Sequence, residues 1–245
     1  MYANTRTSIH IRMLGSFTYD IEKILKRLKN NYTFSELFMV QELTTITDIP
    51  EPKNPNEYTP NDFLSVLQEP TYSGEILLGF IDKEIIDSNK SIFCFPISER
   101  SALISVYDMP KFLKNNDLNM YNYILIMIYR FAILKHINYD FTKNSFQHPN
   151  VKHCLLAVYK DKNDIIQVLN DPDLCNKCRS EIDKKPINPD FYAIIRKEFK
   201  RIKKSTYYSI KDWIESHPIR SLIIFCVVTI LLNLLSNFIF EFCVK

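Results

Sequence analysis

Glycine is scarce in this sequence, and its scarcity excludes two common nucleotide-binding sites. The 245 residues include only three glycines, Gly15, Gly74 and Gly79, and none of them lies in a GxGxxG or GxxxxGK[ST] pattern. Both patterns use a glycine-rich backbone to bind phosphates. The chain is therefore not expected to bind nucleotides through a Rossmann or P-loop site.

The chain also lacks a large excess of positive or negative charge. The net charge is only +3, which is too small to predict nucleic-acid binding from overall electrostatics. The apolar fraction of 46% is large enough for a packed core. The sequence therefore predicts one folded domain of ordinary size with an appendage, and nucleic acid is not expected among its partners.

The N-terminus has no apolar stretch of the kind that directs export. Residues 1–29 are polar and charged, so they do not resemble a signal peptide. The soluble part is therefore expected in a reducing cytosol, where clustered cysteines bind metals more often than they form disulfides. Of the six cysteines, Cys226 and Cys243 belong to a C-terminal apolar segment, and Cys94 is expected to be a small buried hydrophobic residue.

Hydrophobic periodicity predicts an α/β fold in which a mixed sheet packs on a central buried helix. The predicted strands are 9–13, 37–43, 75–81, 91–95 and 102–106, the predicted helices are 20–29, 61–67 with Asn61 as its cap, and 120–136, and a proline-rich loop is predicted at 48–60. The helix at 120–136 is nearly all apolar or aromatic up to Arg130, which is typical of a helix buried on every side.

Residues 221–240 are a run of 20 residues without a charged side chain. As a helix this run is roughly 30 Å long, the thickness of the hydrocarbon core of a bilayer. The alternative is a helix in a globular core, but such helices rarely run so long without a polar face. The sequence therefore predicts a C-terminal transmembrane helix.

Basic residues precede this run in greater number than they follow it. Six lie at 196–204 and one at Arg220, so the positive-inside rule predicts that the N-terminal domain is cytoplasmic. Residues 188–215 resemble one long amphipathic helix, whose basic face either contacts anionic headgroups or is simply solvated. The predicted divisions are a soluble domain at 1–185, a juxtamembrane helix at 186–217 and a single-pass membrane anchor at 218–245.

Two amides interrupt the apolar run. Asn233 and Asn237 are four residues apart and so share one face of the predicted span. Amides in hydrocarbon often form hydrogen bonds across helices, which predicts self-association and a homo-oligomer. The alternative is two tolerated polar residues near the exit leaflet.

Cysteine and histidine are concentrated in one segment. His148, His153 and Cys154 are followed after a spacer by the CxxC pair Cys175 and Cys178. Three cysteines and one histidine are the usual ligands of a closed tetrahedral zinc site, with a tight turn bringing the paired cysteines together and either histidine as the fourth ligand. Unmetallated cysteines that merely pack, or a thiol redox pair, are the alternatives.

These features resemble the archaemetzincin-like zincins. The resemblance lies in the strand 75–82, the strand 102–105 and the spacing of the cysteine block, and it covers residues 5–180. In that family a central helix carries HExxH for a catalytic zinc, and cysteines ending in CxxC hold a structural zinc. The resemblance implies that Cys154, Cys175 and Cys178 are structural-zinc ligands. It implies that His148 is a third catalytic histidine or replaces a further cysteine.

The central helix departs from that family. Residues 120–136 contain no HExxH and no glutamate, His136 is their only histidine, and Leu156 stands where the family has a methionine. Activation of water requires both a metal and a positioned base, so no enzyme activity is expected. Arg130, Lys135 and His136 emerge where the family has its cleft, and they either contact an anionic ligand or are salt-bridged or snorkelling side chains.

The sequence therefore predicts a non-catalytic membrane-anchored sensor or effector that binds a cytosolic ligand or partner and oligomerises at the membrane. A role in bacterial antiviral defence is a hypothesis by analogy alone. One alternative is a zinc-dependent hydrolase whose site uses residues such as His136 and His148. The other is a passive tail-anchored adaptor.

Overall fold

The computed structural model describes residues 6–32, 35–54, 57–67, 75–88, 90–143, 148, 153–159 and 162–243. The strands are β1 (Thr7–Leu14), β2 (Phe38–Ile46), β3 (Glu75–Ile81), β4 (Ile85–Asp87), β5 (Lys90–Ile92), β6 (Cys94–Pro96) and β7 (Ser101–Ser105). The helices are α1 (Ile21–Asn31), α2 (Met109–Asn115), α3 (Met120–His136), α4 (Ile165–Asn170), α5 (Asn176–Asp183), α6 (Phe191–Phe199), α7 (Thr206–Ser216) and α8 (Pro218–Cys243).

Within the described residues, five strands form one sheet in the order β2-β1-β3-β7-β6. The first four strands are parallel, and β6 pairs antiparallel with β7 at the edge. The connection from β1 to β2 contains α1, as parallel neighbours require a crossover. This sheet and its helices confirm the predicted α/β class.

The central strands β3 and β7 are buried on both faces, whereas the edge strand β2 is partly exposed. Along β1, Ile9, Ile11 and Met13 alternate with less buried residues and face α1 and α3, as the period-two pattern predicts. The opposite face packs against residues 60–67, where a Cβ atom on Gly79 would lie 2.6 Å from Cδ2 of Leu67. The absence of a side chain at Gly79 therefore allows this segment to approach the sheet closely.

Helix α3 is the core of the first unit, which confirms the predicted central helix. Twelve of its 17 residues are buried, on every side of the helix. Its N-terminus is capped by Asn119, whose side chain accepts a hydrogen bond from the Asn122 backbone N–H at 2.8 Å. Its buried polar groups are satisfied by backbone: the Tyr123 hydroxyl, for example, donates to the Ser105 carbonyl at 2.8 Å.

Two local predictions are wrong. The strand predicted at 91–95 is divided at Phe93: β5 pairs with β4 in a two-stranded sheet, and β6 pairs with β7 in the five-stranded sheet. The helix predicted after Asn61 is a short 3-10 helix at Pro60–Phe63, preceded by Thr59. The Thr59 backbone N–H donates to Oδ2 of Asp62 at 2.8 Å, so Thr59 and not Asn61 marks the helix start. In the loop predicted at 48–60, residues 55 and 56 lie outside the described residues.

The single long helix predicted at 188–215 is also wrong. The structure has two helices there, α6 and α7, separated by residues 200–205. Phe191, Ile195 and Phe199 of α6 are buried in the core of the first unit, and Ile202 after it is buried too. The turn that places Ile202 in the core ends the helix. The predicted domain boundary at residue 185 stays a prediction.

The chain divides into two compact units, Met1–Lys203 and Lys204–Lys245. The second unit consists of α7 and α8. Residues Pro218–Phe240 of α8 are long and apolar enough to cross a membrane, and no part of this stretch is buried inside the protein. The apolar run predicted at 221–240 therefore lies within one continuous helix that begins at Pro218.

Candidate metal centre

Two short segments that lie side by side bring the cysteines together. The backbone N–H of Leu155 donates to the carbonyl of Asp173 at 2.8 Å, and the N–H of Asp173 donates to the carbonyl of His153 at 2.8 Å. This pair of hydrogen bonds forms an isolated bridge between Cys154 and Asp173. It places Cys154 beside the segment that leads into Cys175.

The CxxC pair lies at the start of a helix. Cys175 is the last residue before α5, with extended backbone angles, and Cys178 lies in the first turn. Residues three apart on a helix face the same side, so both sulfurs reach the same point. The tight turn predicted between them is the first turn of α5. The positive end of the helix dipole at this position also favours thiolates.

The distances between the ligand atoms fit a zinc ion. Nε2 of His148 lies 3.5 Å from Sγ of Cys154, 3.5 Å from Sγ of Cys175 and 3.1 Å from Sγ of Cys178. The sulfurs of Cys154 and Cys178 are 3.6 Å apart, and all four atoms lie within 4.8 Å of one another. A tetrahedral zinc with sulfur at about 2.3 Å and nitrogen at about 2.0 Å separates its ligand atoms by roughly 3.5–3.8 Å.

The donor set and its burial fit a structural role. His148, Cys154 and Cys178 are buried, and Cys175 is half-buried. The cysteines are free, and the 3.6 Å between Cys154 and Cys178 is far beyond a disulfide bond. Four protein ligands leave no position on a tetrahedral ion for water, so zinc here would hold segments together without activating a nucleophile.

The structure places His148, and not His153, against the three cysteines. The His153 ring is turned away, with Nδ1 3.1 Å from the carbonyl oxygen of Asp171. Its side chain is also about a third exposed, at 35%. Of the two histidines that sequence spacing left open, the group of candidate ligands contains His148 and lacks His153.

The thiols of Cys154 and Cys178 have opposite pKa shifts. The pKa of Cys154 is lowered, chiefly because its sulfur accepts a hydrogen bond from Cys178 and also because it accepts from the backbone of Cys175 and Leu156. The pKa of Cys178 is raised, because it donates that bond and is buried beside a negative sulfur. One thiolate is thus favoured even before a cation supplies its charge.

Arg130 connects the metal centre to α3. Its Nη1 donates to the carbonyl oxygens of Leu155 at 3.2 Å and Ala157 at 2.8 Å. The guanidinium carbon lies 5.2 Å from the ring centroid of Tyr159, and the Tyr159 hydroxyl donates to the Cys154 carbonyl at 2.9 Å. Sequence reasoning missed this support. In the sequence, the only features that could have indicated this support are an arginine in a buried helix and a tyrosine five residues after Cys154.

The other two side chains predicted to meet a ligand with Arg130 lie elsewhere. Lys135 lines a separate cavity with Arg100 and Asp140, and its pKa is lowered by burial and by Arg100. The His136 ring stacks on Phe191 with centroids 5.5 Å apart, and burial lowers its pKa. The three residues contact different parts of the first unit. A joint role in binding an anion stays a prediction.

No protein-family model and no curated protein matches the chain. Similar solved structures include archaemetzincin from Methanopyrus kandleri, at 14% identity and a TM-score of 0.46, over 73% of this chain and 94% of that chain. Archaemetzincin from Archaeoglobus fulgidus, complexed with malonate, is 15% identical with a TM-score of 0.45, over 71% and 99%. A zinc-dependent peptidase from Methanocorpusculum labreanum is 14% identical with a TM-score of 0.47, over 71% and 99%. Two of these carry the name of the family that the cysteine block and strand order resemble.

Proposed function

We propose that this chain is a non-catalytic protein that is anchored in a membrane by α8 and binds a cytosolic ligand or partner through its first unit. A structural zinc held by His148, Cys154, Cys175 and Cys178 stabilises that unit. The anchors associate with one another in the bilayer. A role in bacterial antiviral defence stays a prediction from analogy.

The position of the histidines carries the non-catalytic part of this proposal. All five histidines lie in the described part of the chain, and there only His148 belongs to a group of three or more candidate ligands. His10 pairs with Glu42, and His136 contacts Thr7 and Phe191. A zinc-dependent hydrolase needs a metal with an open position and a nearby base. The buried face of α3 offers neither.

The anchor combines a spanning helix with an amphipathic one. Tyr207, Ile210, Trp213 and Ile214 are exposed and lie on one side of α7, which ends two residues before α8 begins. Aromatic residues beside a span favour the membrane interface. In this proposal α7 lies in the headgroup region, and the excess of basic residues before α8 keeps the first unit cytoplasmic.

Zinc content and peptidase activity of the purified full chain test the proposal. Zinc-dependent peptidase is the rival function, and one similar structure carries that name. We expect about one tightly bound zinc per chain and no cleavage of a peptide library when zinc is added in excess. A second, exchangeable zinc together with cleavage that a chelator stops without unfolding the protein would establish the rival.

The membrane permeability of cells that express the chain distinguishes an effector from a passive adaptor. Replacement of residues 221–240 by polyleucine keeps a span and removes Asn233 and Asn237. An effector should increase membrane permeability only with the native span. Equal permeability with both spans would establish that the helix serves for localisation alone.

A further inference from the structure

An open cavity of about 660 Å³ lies between the end of α1, the start of α3 and the residues that follow α6. This volume is in the usual range of small-molecule sites, roughly 300–1,000 Å³. Three cations, two tyrosines and two asparagines line the cavity. It is separate from the metal centre, with which it shares no residue.

The charge of the lining has one sign. Arg27, Arg201 and Lys203 line the cavity, and among the described residues no carboxylate does. Within that part of the chain Arg27 and Lys203 have no ion-pair partner. Arg201 lies 3.5 Å from Oε2 of Glu198, which is completely buried behind it. Three cations thus line the cavity, and in the described structure only one of them is paired with a carboxylate, which lies outside the lining. An anion is therefore the favoured occupant.

The two guanidinium groups are held in place by aromatic rings. The Arg27 guanidinium carbon lies 5.4 Å from the ring centroid of Tyr121, and that of Arg201 lies 5.0 Å from the centroid of Tyr32. Nδ2 of Asn31 donates to the Tyr121 hydroxyl at 3.3 Å, which fixes that ring. A guanidinium over a ring keeps its N–H edge available to planar acceptors. The site is therefore preorganised for an anion that accepts several hydrogen bonds.

We propose that this cavity binds a phosphate group, carried either by a soluble phosphorylated small molecule or by a lipid headgroup. Phosphate oxygens accept paired hydrogen bonds from arginine, and Lys203 adds a point charge. A phosphate group would thus be the cytosolic ligand of the proposed function. This inference rests on the proposed function only for the effect of binding at the membrane. Binding itself requires neither α8 nor the zinc.

The cavity lies where the first unit ends. Lys203 is the last residue of that unit, and its backbone carbonyl accepts from Nδ2 of Asn122 at 2.6 Å. The next residue begins the segment that carries α7 and α8. A phosphate bound by Arg201 and Lys203 would therefore act on the covalent link to the anchor.

Titration of the full chain in phosphatidylcholine nanodiscs with sodium pyrophosphate, at constant ionic strength, tests the site. Wild-type protein should bind pyrophosphate saturably, and Lys203→Gln and Arg27→Gln should each weaken binding about tenfold, the loss of one charge-assisted hydrogen bond. Lys200→Gln and Lys26→Gln remove the same charge three residues and one residue away, outside the cavity. These controls should change the affinity less than twofold.

A second series of nanodiscs distinguishes a soluble phosphorylated ligand from a lipid headgroup. A lower pyrophosphate affinity in discs that contain phosphatidic acid than in discs given the same negative charge by oleate indicates a competing lipid headgroup, and an equal affinity indicates a soluble ligand. Both results support the site. Absence of saturable binding in both discs, or an equal loss with Lys200→Gln and Lys203→Gln, overturns it. Unchanged zinc content and melting temperature of each variant separate this failure from failure of the proposed function.

Discussion

Nη1 of Arg130 donates a hydrogen bond to the carbonyl oxygen of Ala157 at 2.8 Å, three residues beyond the candidate zinc ligand Cys154. The same nitrogen reaches the carbonyl of Leu155. The backbone around one ligand is therefore fixed by the central helix. Groups that orient metal ligands in this way affect metal affinity without touching the metal.

Arg130→Met should weaken zinc binding about 10- to 100-fold, because the carbonyls that follow Cys154 lose their donor and the loop loses its fixed position. Competition with a chromogenic chelator measures the affinity. Lys135→Met on the same helix removes an equal charge away from the site and should leave zinc affinity unchanged. Equal affinities of the wild type and Arg130→Met would contradict the support assigned to Arg130.

His148→Ala should lose the zinc, whereas His153→Ala should retain it, because only His148 lies against the three sulfurs. Elemental analysis after dialysis gives the zinc content of each variant. The zinc-free variant should also melt at a lower temperature, since the ion crosslinks segments that are distant in sequence. Loss of zinc in the His153 variant, with retention in the His148 variant, would reverse the assignment.

Trp213 is the only tryptophan of the chain. When it is replaced by phenylalanine, a single new tryptophan can report the position of α7 by its fluorescence. In a Trp213→Phe background, Tyr207→Trp places the probe on the apolar side of α7 and Tyr208→Trp places it on the polar side. If α7 lies in the interface, quenchers attached near the headgroups should quench the Tyr207→Trp variant strongly and the Tyr208→Trp variant weakly. Equal quenching of the two variants would show that α7 does not lie on the membrane. A Leu231→Trp variant reports insertion of α8 separately.

Asn233→Leu together with Asn237→Leu should weaken self-association of the anchor by about 1–2 kcal/mol in all, because two interhelical amide hydrogen bonds are lost. Energy transfer between labelled chains in vesicles measures the association. Ser221→Leu is the control, since its hydroxyl donates to the Pro218 carbonyl within the same helix at 2.8 Å. An unchanged transfer efficiency in the double variant would exclude the amide face as the contact.

Gly79→Ala should destabilise the first unit by about 1–3 kcal/mol, because the new methyl group overlaps the Leu67 side chain. Thermal melting followed by circular dichroism measures the loss. The same substitution in a Leu67→Ala background should cost less, since the overlapping atoms are gone. If Gly79→Ala costs the same in both backgrounds, the close approach is not the cause.

The elements that the sequence predicts well are those whose pattern is dictated by burial. Helix α3 is apolar on every side because it is buried on every side, and Ile9, Ile11 and Met13 alternate because one face of β1 contacts the helices. The three candidate ligand cysteines, Cys154, Cys175 and Cys178, lie in one segment of the sequence and have the same metal-binding chemistry. The candidate site could therefore be predicted as far as its ligand types.

The remaining features depend on contacts that are distant in sequence. The break between α6 and α7 has no glycine or proline to mark it, and it follows from burial of Ile202 and from the hydrogen bond between Asn122 and Lys203. The choice of His148 over His153 depends on the bridge between Cys154 and Asp173. Periodicity carries no information about such pairings.

The hydrogen bond from Asn122 to the Lys203 carbonyl has a mechanical consequence. If the anchor of the proposed function pulls on the chain, the tension enters the first unit at Lys203, where this hydrogen bond joins the chain to the N-terminal turn of α3. Part of that load therefore falls on the buried N-terminal turn of α3, and the rest follows the backbone through Ile202 into α6. The anchored segment is thus attached to the first unit through two buried helices, α3 and α6, and not through one alone.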